Sequence, residues 1–156
     1  METLPQSVYK LQQVRVSDTL EYQQVCDLRQ SLTEAGYSQT PQLEIDRSAQ
    51  IYLLYHNSEP VATLRLVYTE DKSYYIGRLA VARHHQRSSH GLEILKRVMP
   101  IILARVKPNE EIYGVSQSTA FAFHAKSGFF PAGPSFMHAG AEVRKMLYDK
   151  DFRQKL

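Results

Sequence analysis

Tyr74-Tyr75-Ile76-Gly77-Arg78-Leu79-Ala80-Val81-Ala82-Arg83-His84-His85-Gln86-Arg87-Ser88-Ser89-His90-Gly91-Leu92-Glu93-Ile94-Leu95 changes character twice. Ile76, Leu79 and Val81 are strand formers at sheet-like density, and the run breaks from Ala82 to Arg87 into small, basic and polar residues. From Leu92 the apolar positions fall at Leu92, Leu95, Met99, Ile102 and Val106, the three-and-four spacing of a helix that buries one face. The polar loop therefore delivers the chain onto a helix N-terminus, where unpaired N–H groups and a partial positive charge favour phosphate oxygens. Ser88, Ser89 and Gly91 allow backbone and ligand to approach closely, and Arg87 adds a fixed charge. Gly91 costs about 1 kcal/mol relative to Ala in a helix, so close approach accounts for it better than helix stability does. On spacing alone the stretch reads equally well as an ordinary strand-to-helix connection on a basic surface.

The flanking segments supply the rest of an alternating pattern. Val8 to Val16 reads as a strand, and Ser17-Asp18 as a helix cap with Glu21 completing a capping box. The helix carries Val25, Leu28 and Leu32 on one face and stops at Gly36. A loop with Pro41 follows and ends in Leu43-Glu44-Ile45-Asp46, ahead of strands Gln50 to Tyr55 and Val61 to Tyr68. Turns are expected at Asn57-Ser58-Glu59-Pro60 and Glu70-Asp71-Lys72-Ser73. Beyond the organising helix come a short strand at Ile112 to Val115, a helix from Ser116 to Ser127 ended by Gly128, and a tail with Pro131 and Pro134 that finishes in a strand from Val143 to Tyr148. The order β-α-β-β-β-α-β-α-β-β predicts an α/β fold, a mixed sheet flanked by helices on both faces.

A chain of 156 residues suits one domain spanning 1–156. With 43% hydrophobic and 22% charged residues and no long apolar run, the composition excludes a membrane span by helix, and the first residues lack the order of a signal peptide. The single cysteine, Cys26, excludes an internal disulfide and suits a cytoplasmic protein with an inert, packed thiol. A net charge of +3 favours anionic ligands but falls short of a nucleic-acid footprint, and aromatic residues do not interleave with Arg83, Arg87, Lys96 and Arg97.

Ile76-Gly77-Arg78-Leu79-Ala80-Val81 followed by Gln86-x-x-Ser89-x-Gly91 resembles the fourth strand and acyl-CoA pyrophosphate loop of the GNAT superfamily of N-acyltransferases, with Ser89 in place of the loop's first glycine. Gln117-x-x-Ala120-x-x-Phe123-His124-x-x-x-Gly128-Phe129 is similar to that family's second signature, with His124 where a tyrosine usually stands. Leu43-Glu44-x-Asp46, Pro60 to Leu66 and Pro134-Ser135-Phe136-Met137-His138-Ala139-Gly140 resemble the small bacterial ElaA-like branch. Two further departures are His138 for an acidic residue, and Ala141-Glu142-Val143 for that branch's Ile-Pro-His.

The resemblance implies direct transfer of an acyl group, acetyl by expectation, from acyl-CoA to a primary amine on a small molecule or peptide. It implies donor contacts at Leu79, Ala80, Val81, Gln86, Arg87, Ser88, Ser89, His90, Gly91, Gln117 and Phe123, with the pantetheine arm in a slot where the strands splay beside Gly114 and Val115. His124 is the candidate general acid and Glu44 the candidate base, while Asp46, Arg78 and Tyr75 are candidates for holding the acceptor. Each has a plain alternative: a packed or surface histidine, solvated loop carboxylates, a cross-strand pair. His84, His85 and His90 lack a cysteine or carboxylate set at ligand spacing, so no metal is expected. A non-catalytic GNAT-fold module that binds acyl-CoA or a partner is the competing reading. Phe129-Phe130 and Phe136-Met137 pack internally or form the edge of a homodimer, with the dimer favoured because terminal strands leave sheet edges to manage.

Overall fold

The computed structural model describes residues 8–34, 43–82, 89–117, 125–138 and 140–152. Its strands are β1 (Tyr9–Val14), β2 (Gln50–His56), β3 (Glu59–Tyr68), β4 (Tyr74–Val81), β5 (Ile112–Ser116), β6 (Phe129–His138) and β7 (Ala141–Tyr148). Its helices are α1 (Thr19–Glu34), α2 (Leu43–Ser48) and α3 (His90–Leu103). The seven strands form one sheet in the order β1-β2-β3-β4-β5-β7-β6. All neighbours are antiparallel except β4 and β5, which run parallel. This is the mixed, helix-flanked α/β architecture expected from the alternating pattern.

Local chemistry explains the first half of the sheet. The β2–β3 hairpin turns on Asn57 and Ser58, both with left-handed φ (51° and 70°), as the primed two-residue turns require. Asn57 suits that position, and its Oδ1 also accepts from the Val8 N–H at 2.9 Å, tying the turn to the start of β1. The β3–β4 turn places Lys72 at φ 62° and closes with the Thr69 N–H donating to the Ser73 carbonyl at 2.8 Å. At α1 the Asp18 carbonyl accepts from the Tyr22 N–H at 2.8 Å. The Asp18 carboxylate accepts from the Arg15 N–H at 2.8 Å, a backward turn in place of the reciprocal bond to Glu21 expected from the sequence.

Two apolar layers cover the sheet, one on each face. Ile94, Leu95, Val98, Met99 and Ile102 of α3 pack on Tyr52, Leu54, Leu64, Leu66 and Ile76, while Val25 and Leu28 of α1 pack on Val14, Ile51, Leu53 and Ala80. Period-two alternation along β2 therefore feeds both layers, because successive side chains point to opposite faces. Fully burying a side chain such as Ile94 or Val98 contributes about 1.5–3 kcal/mol.

The segment ending in Asp46, expected as loop, folds instead into the short helix α2. The helix after the organising strand begins at His90, which puts Gly91 in its first turn as expected. The proline-bearing tail supplies the first of the two final strands of the expected order, β6 from Phe129 to His138, with a register shift between Pro131 and Ser135. Strand β6 lies at the sheet edge, where a proline's missing N–H costs no ladder bond on the outer side. Of the helix expected over Ser116 to Ser127, Ser116 is instead the last residue of β5, and residues 118–124 lie outside the described residues.

Candidate active site

The site is built where β4 leaves its neighbours. On the β3 side, Gly77 stands opposite Arg65 and Ala80 opposite Thr63, so Leu64 alone faces the two residues Arg78 and Leu79. This is a β-bulge, and Arg78 takes its left-handed conformation, φ 52°. A non-glycine residue there stores strain of order 1–3 kcal/mol, the kind that accumulates at functional sites. The extra residue resets the alternation, so Leu79 and Val81 pack against the α3-side layer while Ala80 and Ala82 join the α1-side layer. On the other side, β4 and β5 pair only at Tyr74 with Ile112 and Tyr75 with Tyr113. Past that point β4 continues to Val81 and β5 to Ser116, diverging beside Gly114 and Val115 as expected. A Cβ at Gly114 would lie 3.1 Å from the Ile76 carbonyl oxygen, so the strands are still close at the point of parting and only glycine fits there without adjustment.

The N-terminus of α3, at Ser89, follows β4 in the sequence. Ser89 is its N-cap (φ −85°, ψ 12°) and makes no side-chain capping bond, while His90 and Gly91 are buried in the first turn. The cap therefore leaves early N–H groups to other acceptors. The His90 imidazole turns toward β1, its Nδ1 sharing a 2.9 Å hydrogen bond with Tyr9 Oη. Gln86, Arg87 and Ser88 lie outside the described residues, as do Phe123, His124, His84 and His85. Gln117 is placed at the end of β5, where its carbonyl accepts from Ser116 Oγ at 3.0 Å.

On the α1 face, Tyr75 lies flat over Gly77, where an added Cβ would sit 2.8 Å from its ring. Tyr75 and Tyr113 pair with ring centroids 5.1 Å apart, and Lys145 Nζ sits 4.8 Å over Tyr113 while bound to Glu111 at 3.1 Å. Burial, then the neighbouring Asp71 charge, pushes the Tyr113 phenol pKa up. Arg78 is half-buried beside this ring pair, and burial, then the charges of Arg65 and Arg29, lowers its pKa. The structure thus brings Tyr75 and Arg78 together near the mouth of the slot.

Asp46 has a different place from the one expected. It is 2% exposed. Its Oδ2 accepts from Arg29 Nη1 at 2.7 Å and from Tyr22 Oη at 2.5 Å, and its Oδ1 accepts from Arg29 Nη2 and Arg65 Nη1, both at 3.2 Å. Burial alone would raise its pKa. The hydrogen bonds from Arg29 and Tyr22 and the Arg29 charge outweigh that and hold it below the usual carboxylate range. Burial and the bond to Asp46 push the Tyr22 phenol well above its ordinary value. A carboxylate so engaged is a tie between α1, α2 and β3 rather than a seat for a cationic amine. Glu44, two residues earlier on α2 and so on the opposite side of the helix, is exposed.

The sequence missed this ion cluster, although it held two signals. Arg65 interrupts the apolar run of β3, and Arg29 lies four residues after Val25 on the buried face of α1. A charge at either position needs a buried partner. Among the described residues, no three His, Cys, Asp or Glu side chains converge as a metal-binding set, and no described helix is long and apolar enough to cross a membrane.

The family model that matches, an acetyltransferase (GNAT) domain, spans residues 16–150, and the chain therefore belongs to the GNAT acetyltransferase family. Escherichia coli ElaA is similar in structure, with a TM-score of 0.72 at 19% identity over 91% of this chain and 100% of its own. An acyl-CoA N-acyltransferase from Pseudomonas aeruginosa gives 0.70 at 15% identity over 90% and 99%. A GNAT family acetyltransferase from Elizabethkingia anophelis, solved with acetyl-CoA bound, gives 0.64 at 17% identity over 89% and 94%. At these identities the likeness is one of fold. No curated protein sequence matches the chain. Family and fold together support an acyl-CoA-dependent N-acyltransferase as the functional class.

Proposed function

We propose that this protein moves an acyl group, acetyl first among them, from acyl-CoA to a primary amine on a small molecule or peptide by direct attack within a ternary complex. The observation that carries this reading is the parting of β4 from β5 beside the bulge at Arg78, ahead in sequence of an α3 N-terminus whose N-cap, Ser89, makes no side-chain capping bond. Pantetheine is an extended arm with two amides, and the main chain of Leu79 to Val81 offers it a strand edge to pair with. The α3 N-terminus, with Gln86, Arg87, Ser88, Ser89 and the backbone of His90 and Gly91, suits the donor's pyrophosphate. Gln117 and Phe123 are the further donor contacts that the family resemblance implies.

The donor supplies a thioester carbonyl and a thiolate leaving group. As the new C–N bond forms and the C–S bond breaks, the amine's proton passes to a base and the thiolate gains one from an acid. Main-chain donors around Leu79 and Val81 steady the thioester oxygen. Glu44, exposed on α2, is the candidate base, and His124 stands where the family's tyrosine acid is found. Tyr75 and Arg78 form one wall of the acceptor site, and Asp46 acts only through the residues it ties together.

Release of free thiol from acetyl-CoA over a panel of amines tests the reading. Amine-dependent release is expected. Tight CoA binding with no release for any amine would favour a binding module of this fold. Absence of CoA binding at millimolar concentration would remove the donor assignment. His124→Ala should lower turnover without weakening CoA binding and should remove the alkaline limb of the pH–rate profile, which an imidazolium acid places near an ordinary histidine pKa of about 6.5. An unchanged rate and profile in His124→Ala would exclude it as the acid.

A further inference from the structure

We propose that Tyr9 and His90 form a clasp that sets the first turn of α3 for the phosphates of the acyl-CoA donor, which makes Tyr9 a positioning residue for donor recognition. The inference rests on the donor reading above and extends it to a residue at the far edge of the sheet. Tyr9 opens β1, the edge strand, and stands in register with His56 at the end of β2. Its ring lies against the His56 ring at 4.6 Å between centroids, and the Arg97 guanidinium sits 5.4 Å from the centroid of the same ring. Its hydroxyl meets His90 Nδ1 at 2.9 Å, across 81 residues of sequence. The His56 and His90 rings are themselves 4.9 Å apart.

The α3 side of these contacts falls on one stripe of the helix. His90, Glu93 and Arg97 are spaced three and four residues apart, and Arg97 Nε donates to Glu93 Oε2 at 2.9 Å, which holds the guanidinium beside Tyr9. The helix is thus gripped by the same phenol at its first residue and two turns later. His90 is only 5% exposed, so its imidazole is fixed by packing as well as by the bond. The N–H groups that face a phosphate belong to this same turn, and their aim follows from the rotation of the helix about its axis. The Tyr9 hydroxyl is a side-chain restraint that reaches this first turn from β1.

The test measures dissociation constants of CoA and of pantetheine by titration calorimetry on the wild-type chain and on Tyr9→Phe, His90→Phe and His90→Asn. This needs no acceptor and no turnover. Only CoA carries the phosphates, so loss of the clasp should reduce the preference for CoA over pantetheine roughly three- to tenfold in Tyr9→Phe and His90→Phe, the effect of one net hydrogen bond. His90→Asn places an amide where Nδ1 stood and should keep most of the preference. Melting curves of the unliganded variants establish that each is folded. An unchanged preference in both phenylalanine variants, or an equal weakening of both ligands, would overturn the clasp while leaving the donor site intact. A wild-type chain without preference for CoA would overturn the phosphate reading itself, and the clasp with it.

Discussion

Asp46 shows how far a residue's role depends on what surrounds it. Two guanidiniums and a phenol converge on its carboxylate in the interior. Asp46→Ala should therefore cost about 3–5 kcal/mol in urea unfolding, because it leaves buried cations facing each other. The sign of its pH effect follows from its lowered pKa. The stabilisation is fully present above the unfolded carboxylate value of about 4 and is lost as pH falls below that, through the depressed folded value. Asp46→Ala should accordingly flatten the acid limb of the stability profile, and an unchanged limb would place acid sensitivity elsewhere. Arg78 presents the opposite case, a strained backbone with a half-buried side chain. Arg78→Gly keeps the left-handed conformation at no steric cost. It should leave the melting temperature unchanged or raised while the KM of the acceptor rises several-fold; a collapse of the fold would show that the side chain, not the bulge, is the structural part.

At the scale of elements, α3 is the piece that both layers of function depend on. Its Ile94, Val98 and Ile102 are fully buried against the sheet, and its first turn faces the proposed donor phosphates. Ile94→Ala should destabilise by about 2–5 kcal/mol, read from denaturant midpoints at unchanged m-value. A cost below about 1 kcal/mol would mean that the layer relaxes around the cavity. Strand β6 is the other element with a consequence. Phe130, Phe136 and Met137 are exposed along an edge strand, and its two prolines and register shift limit strand pairing there.

For the whole molecule, the proposed donor slot links the two apolar layers, since Leu79 and Val81 join one and Ala80 the other. Ligand that binds only this folded arrangement must stabilise all of it. At a hundredfold excess over its dissociation constant CoA should add about 2.7 kcal/mol, which for a chain of this size raises the melting temperature by roughly 5–10 °C. No shift at millimolar CoA would count against the slot as the donor site.

The alternation of strand and helix, the two hairpin turns and the apolar stripe of α3 were legible in the sequence, because each rests on local periodicity and turn chemistry. Gly114 and Val115 could be placed at the splay for a different reason: the family resemblance implied it. Three things depended on tertiary structure. The bulge at Arg78 comes from a mismatch between two strands, which neither strand carries alone. Asp46 became a buried tie because Arg29 and Arg65, 17 and 19 residues away, meet it in space. Tyr9 reached His90 only when the sheet set the first strand beside the start of α3. Local patterns record which face of an element is apolar, whereas the partner of a buried charge or hydroxyl is chosen by distances that only the folded chain creates.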